Sequence, residues 1–357
     1  MSSPDVVPPP AVSPPGASRL RPVIPGAIFA LFALLPLGLA EGQGYLLSLF
    51  TGIMIFALAA MSLDFILGYG ALVSFGHAAF VGVGAYGVGI LAHHGIETAA
   101  IALPVAVGGA ALVALAIGAM ALRTRGIYFI MITLAFAQML YYTTTSLEAY
   151  GGDDGLVLWG RTQTFGLGLF DHRLGFYYAV LACLVGCYLA LRAVVGSRFG
   201  RVFQGCRENE ARVAALGFDP YRYRLTAFVI AGAVAGLAGA LLANHTEFVS
   251  PSYLSWHRSA DLIIMVVLGG AGSLHGALYG ALLFLGLEAL LPVALGEWLP
   301  GLGLGEAATA WLEPIADNWK VLLGPVLVLV ALYARGGLVH GIERWLGPRI
   351  QPPAGRP

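Results

Sequence analysis

Five residues place polar or titratable chemistry in otherwise apolar sequence. Asp64 lies in Leu63-Asp64-Phe65-Ile66-Leu67. Ser74 and His77 lie three apart in Val73-Ser74-Phe75-Gly76-His77-Ala78. Ser273 and His275 close the run Gly269-Gly270-Ala271-Gly272-Ser273-Leu274-His275-Gly276, flanked by Asp261 and Glu288. Ionisable groups inside a membrane are costly, so they mark ion or substrate paths, relays and buried partners. Ser and His beside a glycine-rich break, twice in one chain, suit discontinuous helices that line a midplane path. A plainer role stays open at this point. Asp64 can equally cap the turn at Gly68-Tyr69-Gly70, and each His can be a hydrogen-bonded packing residue. The two stretches align only loosely as an internal repeat.

No enzyme constellation accompanies them. There is no nucleophile elbow and no His-Glu-x-x-His, and Cys183, Cys187 and Cys206 lack paired or zinc-ligand spacing. Of the 19 basic residues only Lys320 is a lysine, and it follows Trp319. A phosphate-binding P-loop needs Gly-Lys-Ser/Thr. The chain therefore carries no Walker-type ATP site, and no cofactor or metal site is expected in it.

The elements that hold these residues must be membrane helices. Hydrophobic residues make up 58% of the 357 and charged residues 11%, against about 25% charged in ordinary globular domains. Mean hydropathy is +0.81. The 19 acidic residues cancel the 19 basic ones, which removes any charge argument for nucleic acid. Spans of about 20 apolar residues are expected at 22–40, 45–66, 71–92, 99–121, 126–145, 174–194, 225–243, 259–272, 274–292 and 320–335. The fold class is an all-α polytopic membrane protein of about 8–10 transmembrane helices, with re-entrant or broken helices near 64–80 and 259–280. Glycine patterns such as Gly232-x3-Gly236-x3-Ala240 and Gly272-x3-Gly276-x3-Gly280 suit close helix crossing.

Fifteen arginines fall on one side of these spans, and Arg161, Arg173, Arg258 and Lys320 on the other. The positive-inside rule then puts both termini and loop 195–224 in the cytoplasm. Residues 1–21 read as a disordered Pro-rich cytoplasmic tail, 22–335 as the transmembrane domain and 336–357 as a cytoplasmic C-terminal tail. Arg19 and Arg21 before an apolar run, with Gly38-Leu39-Ala40 after it, have the flavour of a signal peptide. The near-bilayer length of 22–40 favours an uncleaved first span. Within loop 195–224, residues 206–216 are expected to form a short amphipathic helix that Gly217 ends. Its charges are Arg207, Glu208, Glu210 and Arg212, beside Asn209. Mixed charge and the lack of Trp or Phe anchors favour docking on a partner over adsorption to lipid.

Six blocks in order then resemble the LivM-type permease family of bacterial branched-chain amino-acid ABC importers. They are Leu67-Gly68-Tyr69-Gly70 with Ser74-Phe75-Gly76-His77-Ala78-Ala79-Phe80 and Gly82-Val83-Gly84-Ala85-Tyr86; Gly126-Ile127-Tyr128-Phe129; Gly151-Gly152-Asp153-Asp154-Gly155-Leu156; Ser197-x-Phe199-Gly200-Arg201 with Arg207-Glu208-Asn209-Glu210; Thr226-Ala227-Phe228 through Ala235-Gly236-Leu237-Ala238-Gly239; and Val267-Leu268-Gly269-Gly270-Ala271-Gly272-Ser273. The resemblance covers about residues 45–292. It implies a multi-pass subunit of the bacterial inner membrane that moves branched-chain or other hydrophobic amino acids inward by alternating access. It also implies a LivH-like second permease, two cytoplasmic ATPase subunits that hold ATP and Mg, and a periplasmic binding protein. Residues Arg207, Glu208, Asn209, Glu210, Arg212 and Gly217 would couple to the ATPase, although Glu210-Ala211 to Gly217 is one residue longer than the usual Glu-Ala-Ala loop. Asp64 stands where Asn is expected and His275 where an aromatic or other residue is commoner. Rival cargoes are urea, short amides or other amino acids, and a rival class is an autonomous secondary transporter or channel.

Overall fold

A computed structural model describes residues 23–38, 44–163, 170 and 172–293, with residues 324, 325, 328 and 337. The expected tails 1–21 and 336–357 and the expected span 320–335 fall outside the described residues, apart from those isolated positions. The helices are α1 (Val23–Gly38), α2 (Gly44–Gly70), α3 (His77–His93), α4 (Ala99–Ala121), α5 (Ile127–Thr145), α6 (Arg173–Gly196), α7 (Arg198–Glu208), α8 (Glu210–Ala215), α9 (Pro220–Thr246), α10 (Trp256–Gly269) and α11 (Leu274–Val293). Six of them, α2, α4, α5, α6, α9 and α11, are long and apolar enough to cross a membrane. The molecule is an all-α polytopic membrane protein. Exposed side chains on α4 and α5 include Leu112, Leu115, Tyr128 and Met131, an apolar outer face suited to hydrocarbon.

The two 27-residue helices α2 and α9 form the centre, each about 40 Å long at 1.5 Å per residue. They pack on each other, α9 also packs on α3 and α4, and α2 also packs on α6 and α11. Small residues make this possible. A side chain at Gly239 would run into the Val81 carbonyl of α3, so the two backbones touch there.

Both expected breaks are present, with altered boundaries. The span expected at 71–92 does not start at 71. Helix α2 runs on to Gly70, Ala71 takes a positive φ of 54°, and helix resumes only at His77. The apolar run alone could not reveal this, because hydropathy does not register the turn. Helix α10 stops at Gly269; Gly270 and Gly272 take φ of 110° and 88°, and α11 begins at Leu274. At 14 residues α10 reaches about 21 Å, short of a hydrocarbon core of about 30 Å. It folds back on α11 as a tight hairpin.

The single helix expected at 206–216 is two helices. Asn209 adopts extended angles (φ −156°, ψ 101°) between α7 and α8, and its side chain accepts the Arg212 N–H at 2.9 Å. Asn is a strong N-cap, and here that local preference outweighs continuation of the helix. Ser197 caps α7 by accepting from Gly200 at 3.2 Å, and Asp219 caps α9 ahead of Pro220. Gly217 has φ 87°, the left-handed position foreseen for it. At the opposite end of α9 a two-residue antiparallel ladder, β1 (Leu156–Val157) with β2 (Phe248–Val249), adds a feature absent from the all-α expectation.

Candidate functional site

The two breaks meet, although about 200 residues separate them. Asp64, fully buried one and a half turns before the end of α2, accepts the Gly272 N–H at 2.7 Å. Asp64 thus caps the other break and not the turn at Gly68-Tyr69-Gly70. Gly68 lies so close to the Gly272 backbone that a Cβ could not fit between them. From the α7 side Arg207 donates to the Gly68 carbonyl. One contact chain therefore links α7, the end of α2 and the α10–α11 turn. Ser273 closes that turn locally by donating to the Gly270 carbonyl at 2.8 Å. His275 is half-buried in the first turn of α11.

Around the first break, His77 Nε2 lies 2.8 Å from Ser62 Oγ, and Ser62 Oγ donates to the Ala59 carbonyl at 2.7 Å. A serine has one proton. That bond uses it, so His77 Nε2 is the donor and Nδ1 is left as an acceptor. The hydroxyl of Ser259, in the first turn of α10, accepts the Ala78 N–H at 3.0 Å and satisfies a free donor at the start of α3. Ser62, Ser74, His77 and Ser259 are all fully buried. Among the described residues, Ser74 Oγ, His77 Nδ1 and Asp64 Oδ2 are buried without a hydrogen-bond partner. Of the five path candidates, Asp64 and Ser273 converge on the second break while Ser74 and His77 hold to the first. Ser62 and Ser259 escape a sequence reading, since one Ser in an apolar helix carries no distinguishing signal.

The six candidate coupling residues divide in two. Arg207, although exposed, reaches back to the Gly68 carbonyl, and half-buried Glu210 pairs with Arg125 at 3.1 Å and Arg224 at 3.2 Å. These two brace the α7–α8 hairpin against the bundle. Arg224 also donates to the Cys206 carbonyl at 3.0 Å, and Phe203 packs on Phe65 with ring centroids 5.6 Å apart. Cys206 is buried here, and that burial pushes its thiol above the usual range, which suits a packing residue. Glu208, Asn209, Arg212 and Gly217 stay exposed. With them the hairpin shows Leu216, 70% exposed, and Phe218, 42% exposed, on a groove of about 230 Å³ lined also by Val213. Leu216 lies on the small apolar face expected for 206–216, whereas Phe218, beyond Gly217, is the part of this surface that the sequence does not point to.

The model of the family described as branched-chain amino acid transport system / permease component matches residues 45–331. The chain belongs to that family. It is similar to the high-affinity branched-chain amino acid transport system permease protein LivM of Escherichia coli K12, with 32% identity over 256 residues, 64% of this chain and 60% of that protein. A probable LivM of Methanocaldococcus jannaschii is 27% identical over 165 residues, 46% of each chain. A shorter stretch of 94 residues is 35% identical to LivH of Salmonella typhimurium, 26% of this chain and 30% of that protein. The chain spans about 60% of the length of the bacterial LivM proteins it matches. No solved structure matches. The family match includes both breaks and the hairpin of this permease-family chain, and starts at the second residue of α2. Among the described residues, no three His, Cys, Asp or Glu side chains are gathered to hold a metal ion.

Proposed function

We propose that the chain is the permease subunit of an ATP-driven importer that carries branched-chain or other hydrophobic amino acids across a bacterial inner membrane. It works beside a second, LivH-like permease. Two ATPase subunits that hold ATP and Mg dock on the cytoplasmic side, and a periplasmic binding protein delivers cargo. The arginine bias of the loops supports cytoplasmic placement of the termini and of the α7–α8 hairpin.

One observation carries the reading: the hairpin offers an exposed apolar groove outward and is tied inward to both helix breaks. Leu216 and Phe218 give a partner something to bury, while Arg207 on Gly68 and Glu210 on Arg224 make the hairpin move with the bundle. Through Gly68 and Asp64 the motion reaches the α10–α11 turn. A subunit driven this way alternates between two arrangements of packed helices, which is how rigid elements pass on displacement. Asp64, Ser74, His77, Ser273 and His275 are the polar groups such a rearrangement brings to the passage. Buried atoms that lack partners in one arrangement (Ser74 Oγ, His77 Nδ1, Asp64 Oδ2) gain water or cargo in the other. Glycine, alanine and valine walls suit an apolar side chain.

The test is Leu216→Asp in the chain expressed with its partners. Burying a leucine contributes about 2 kcal/mol, roughly 30-fold in affinity, and a charge reverses that. Membrane insertion stays normal, ATPase subunits cease to co-purify, and uptake falls at least tenfold. Unchanged uptake would remove the docking assignment. Competition of labelled leucine uptake by isoleucine, valine, urea and acetamide then identifies the cargo class.

A further inference from the structure

The helices α2, α6 and α9, which carry the hairpin at one end, frame a separate cavity of about 410 Å³ at the other. Its lining includes Arg161, Arg173, Glu247, His245, Ser48 and Phe176. This volume lies within the usual range of small-molecule sites, about 300–1,000 Å³. Arg161 is held firmly in place, with its side chain only 15% exposed. Its guanidinium stands 4.8 Å from the centroid of the Phe176 ring, and Nη1 donates to the Phe170 carbonyl at 3.1 Å. Nε lies 3.3 Å from Glu247 Oε1, an ion pair without hydrogen-bond alignment. On the same Phe176 ring His245 stacks at 6.2 Å, and its Nε2 is 3.5 Å from Ser48 Oγ.

Among the described residues, two guanidinium groups, Arg161 and Arg173, and one carboxylate, Glu247, line the cavity, and only Arg161 is paired with it. The second terminal nitrogen of Arg161 makes no hydrogen bond to a described residue. A guanidinium fork matches the two oxygens of a carboxylate. Beside the two arginines, Glu247 keeps 49% of its side chain exposed and supplies a negative group for an ammonium. Cations and an anion side by side next to an aromatic wall are the complement of a zwitterion with an apolar side chain.

We infer that this cavity binds the head of a free α-amino acid, its carboxylate at Arg161 and Arg173 and its ammonium at Glu247. For its role, as a loading site at the end of the bundle away from the hairpin, this inference rests on the importer reading; the binding itself is tested apart from transport. The experiment is equilibrium binding of radiolabelled L-leucine to the full-length chain in phosphatidylcholine nanodiscs. Arg173→Gln and Glu247→Gln each weaken binding at least tenfold without lowering the melting temperature. Valine competes, whereas isocaproate, which lacks the ammonium, and isoamylamine, which lacks the carboxylate, do not.

Isocaproate competing as well as valine would reduce the cavity to an anion site and overturn the zwitterion. Displacement of leucine by phosphatidylglycerol would make it a lipid-headgroup site and overturn the inference too. Absent binding, or binding unchanged in both variants, has the same consequence. ATP-driven uptake by the assembled importer is read separately. Uptake that persists in variants that have lost binding overturns its role as a loading site and leaves the importer reading standing. Leucine binding without uptake in any assembly does the reverse.

Discussion

The two helix breaks solve the same problem by different means. The second, Gly270 to Ser273, is short and mostly local: Ser273 bonds the Gly270 carbonyl, positive φ at Gly270 and Gly272 turns the chain directly into α11, and one outside group, the Asp64 carboxylate, meets the Gly272 N–H. The first, from Ala71 to Gly76, is longer; Ala71 and Leu72 bond back to the Leu67 and Ile66 carbonyls at its start, while its far end is held by side chains from other helices. Ser259 of α10 meets the Ala78 N–H, and Ser62 of α2 meets His77. A turn built on local bonds forms wherever its own residues allow, whereas one built on distant hydroxyls exists only once three helices have assembled. Asp64 and Gly68 join the two breaks at one seam.

The largest effect should come from forcing that seam apart. Gly68→Val puts a branched side chain against the Gly272 backbone and the Asp64 carboxylate. Overpacking of this kind costs about 3 kcal/mol. We expect a strong loss of detergent melting temperature and protease cleavage near both breaks. Cleavage at only one of them would show that the breaks are not coupled.

Asp64→Ala comes next. It leaves the half-buried Gly272 N–H without its acceptor, at about 1–3 kcal/mol, while Asp64→Asn keeps a carbonyl oxygen there and should melt close to the parent. Equal losses in both would mean that charge, not the hydrogen bond, secures the seam. Ser259→Ala removes the acceptor of the Ala78 N–H and should cost about 1–2 kcal/mol, read as faster hydrogen exchange at the start of α3 with α11 unaffected. Smallest is Ser273→Ala. Its turn retains the glycine geometry and the Ser273 N–H to Gly270 bond at 3.3 Å, so about 0.5 kcal/mol is expected. A larger loss than for Ser259→Ala would reverse the contrast between locally and externally held breaks.

Much of this was legible beforehand, for stated reasons. Glycine-rich runs interrupting apolar segments marked both breaks, since glycine is the residue that accepts positive φ. Gly217 was placed as a helix end on the same logic, and its φ of 87° agrees. The start of α3 was misplaced by six residues because Ala71 to Gly76 is as hydrophobic as the helix that follows. The split of 206–216 into α7 and α8 was missed because hydrophobic spacing continues across Asn209, while the cap that breaks the helix is a hydrogen bond to Arg212. Arg207 and Glu210 looked like surface charges. Only their partners, Gly68 from α2 and Arg224 from α9, show that they are tied to the bundle.

By itself the sequence determined that this chain lives in a membrane and roughly where its helices run and break. Those properties depend on transfer free energy, residue type and local backbone preference, which are read along the chain. The tertiary structure alone decided that Asp64 caps a turn about 200 residues away, that the hairpin is wired to both breaks, and that Arg161, Arg173 and Glu247 share one cavity. These depend on which helix faces meet. In an apolar bundle hydropathy is nearly uniform around each helix, so it cannot choose the face, and close packing at glycines such as Gly68 and Gly239 makes that choice instead.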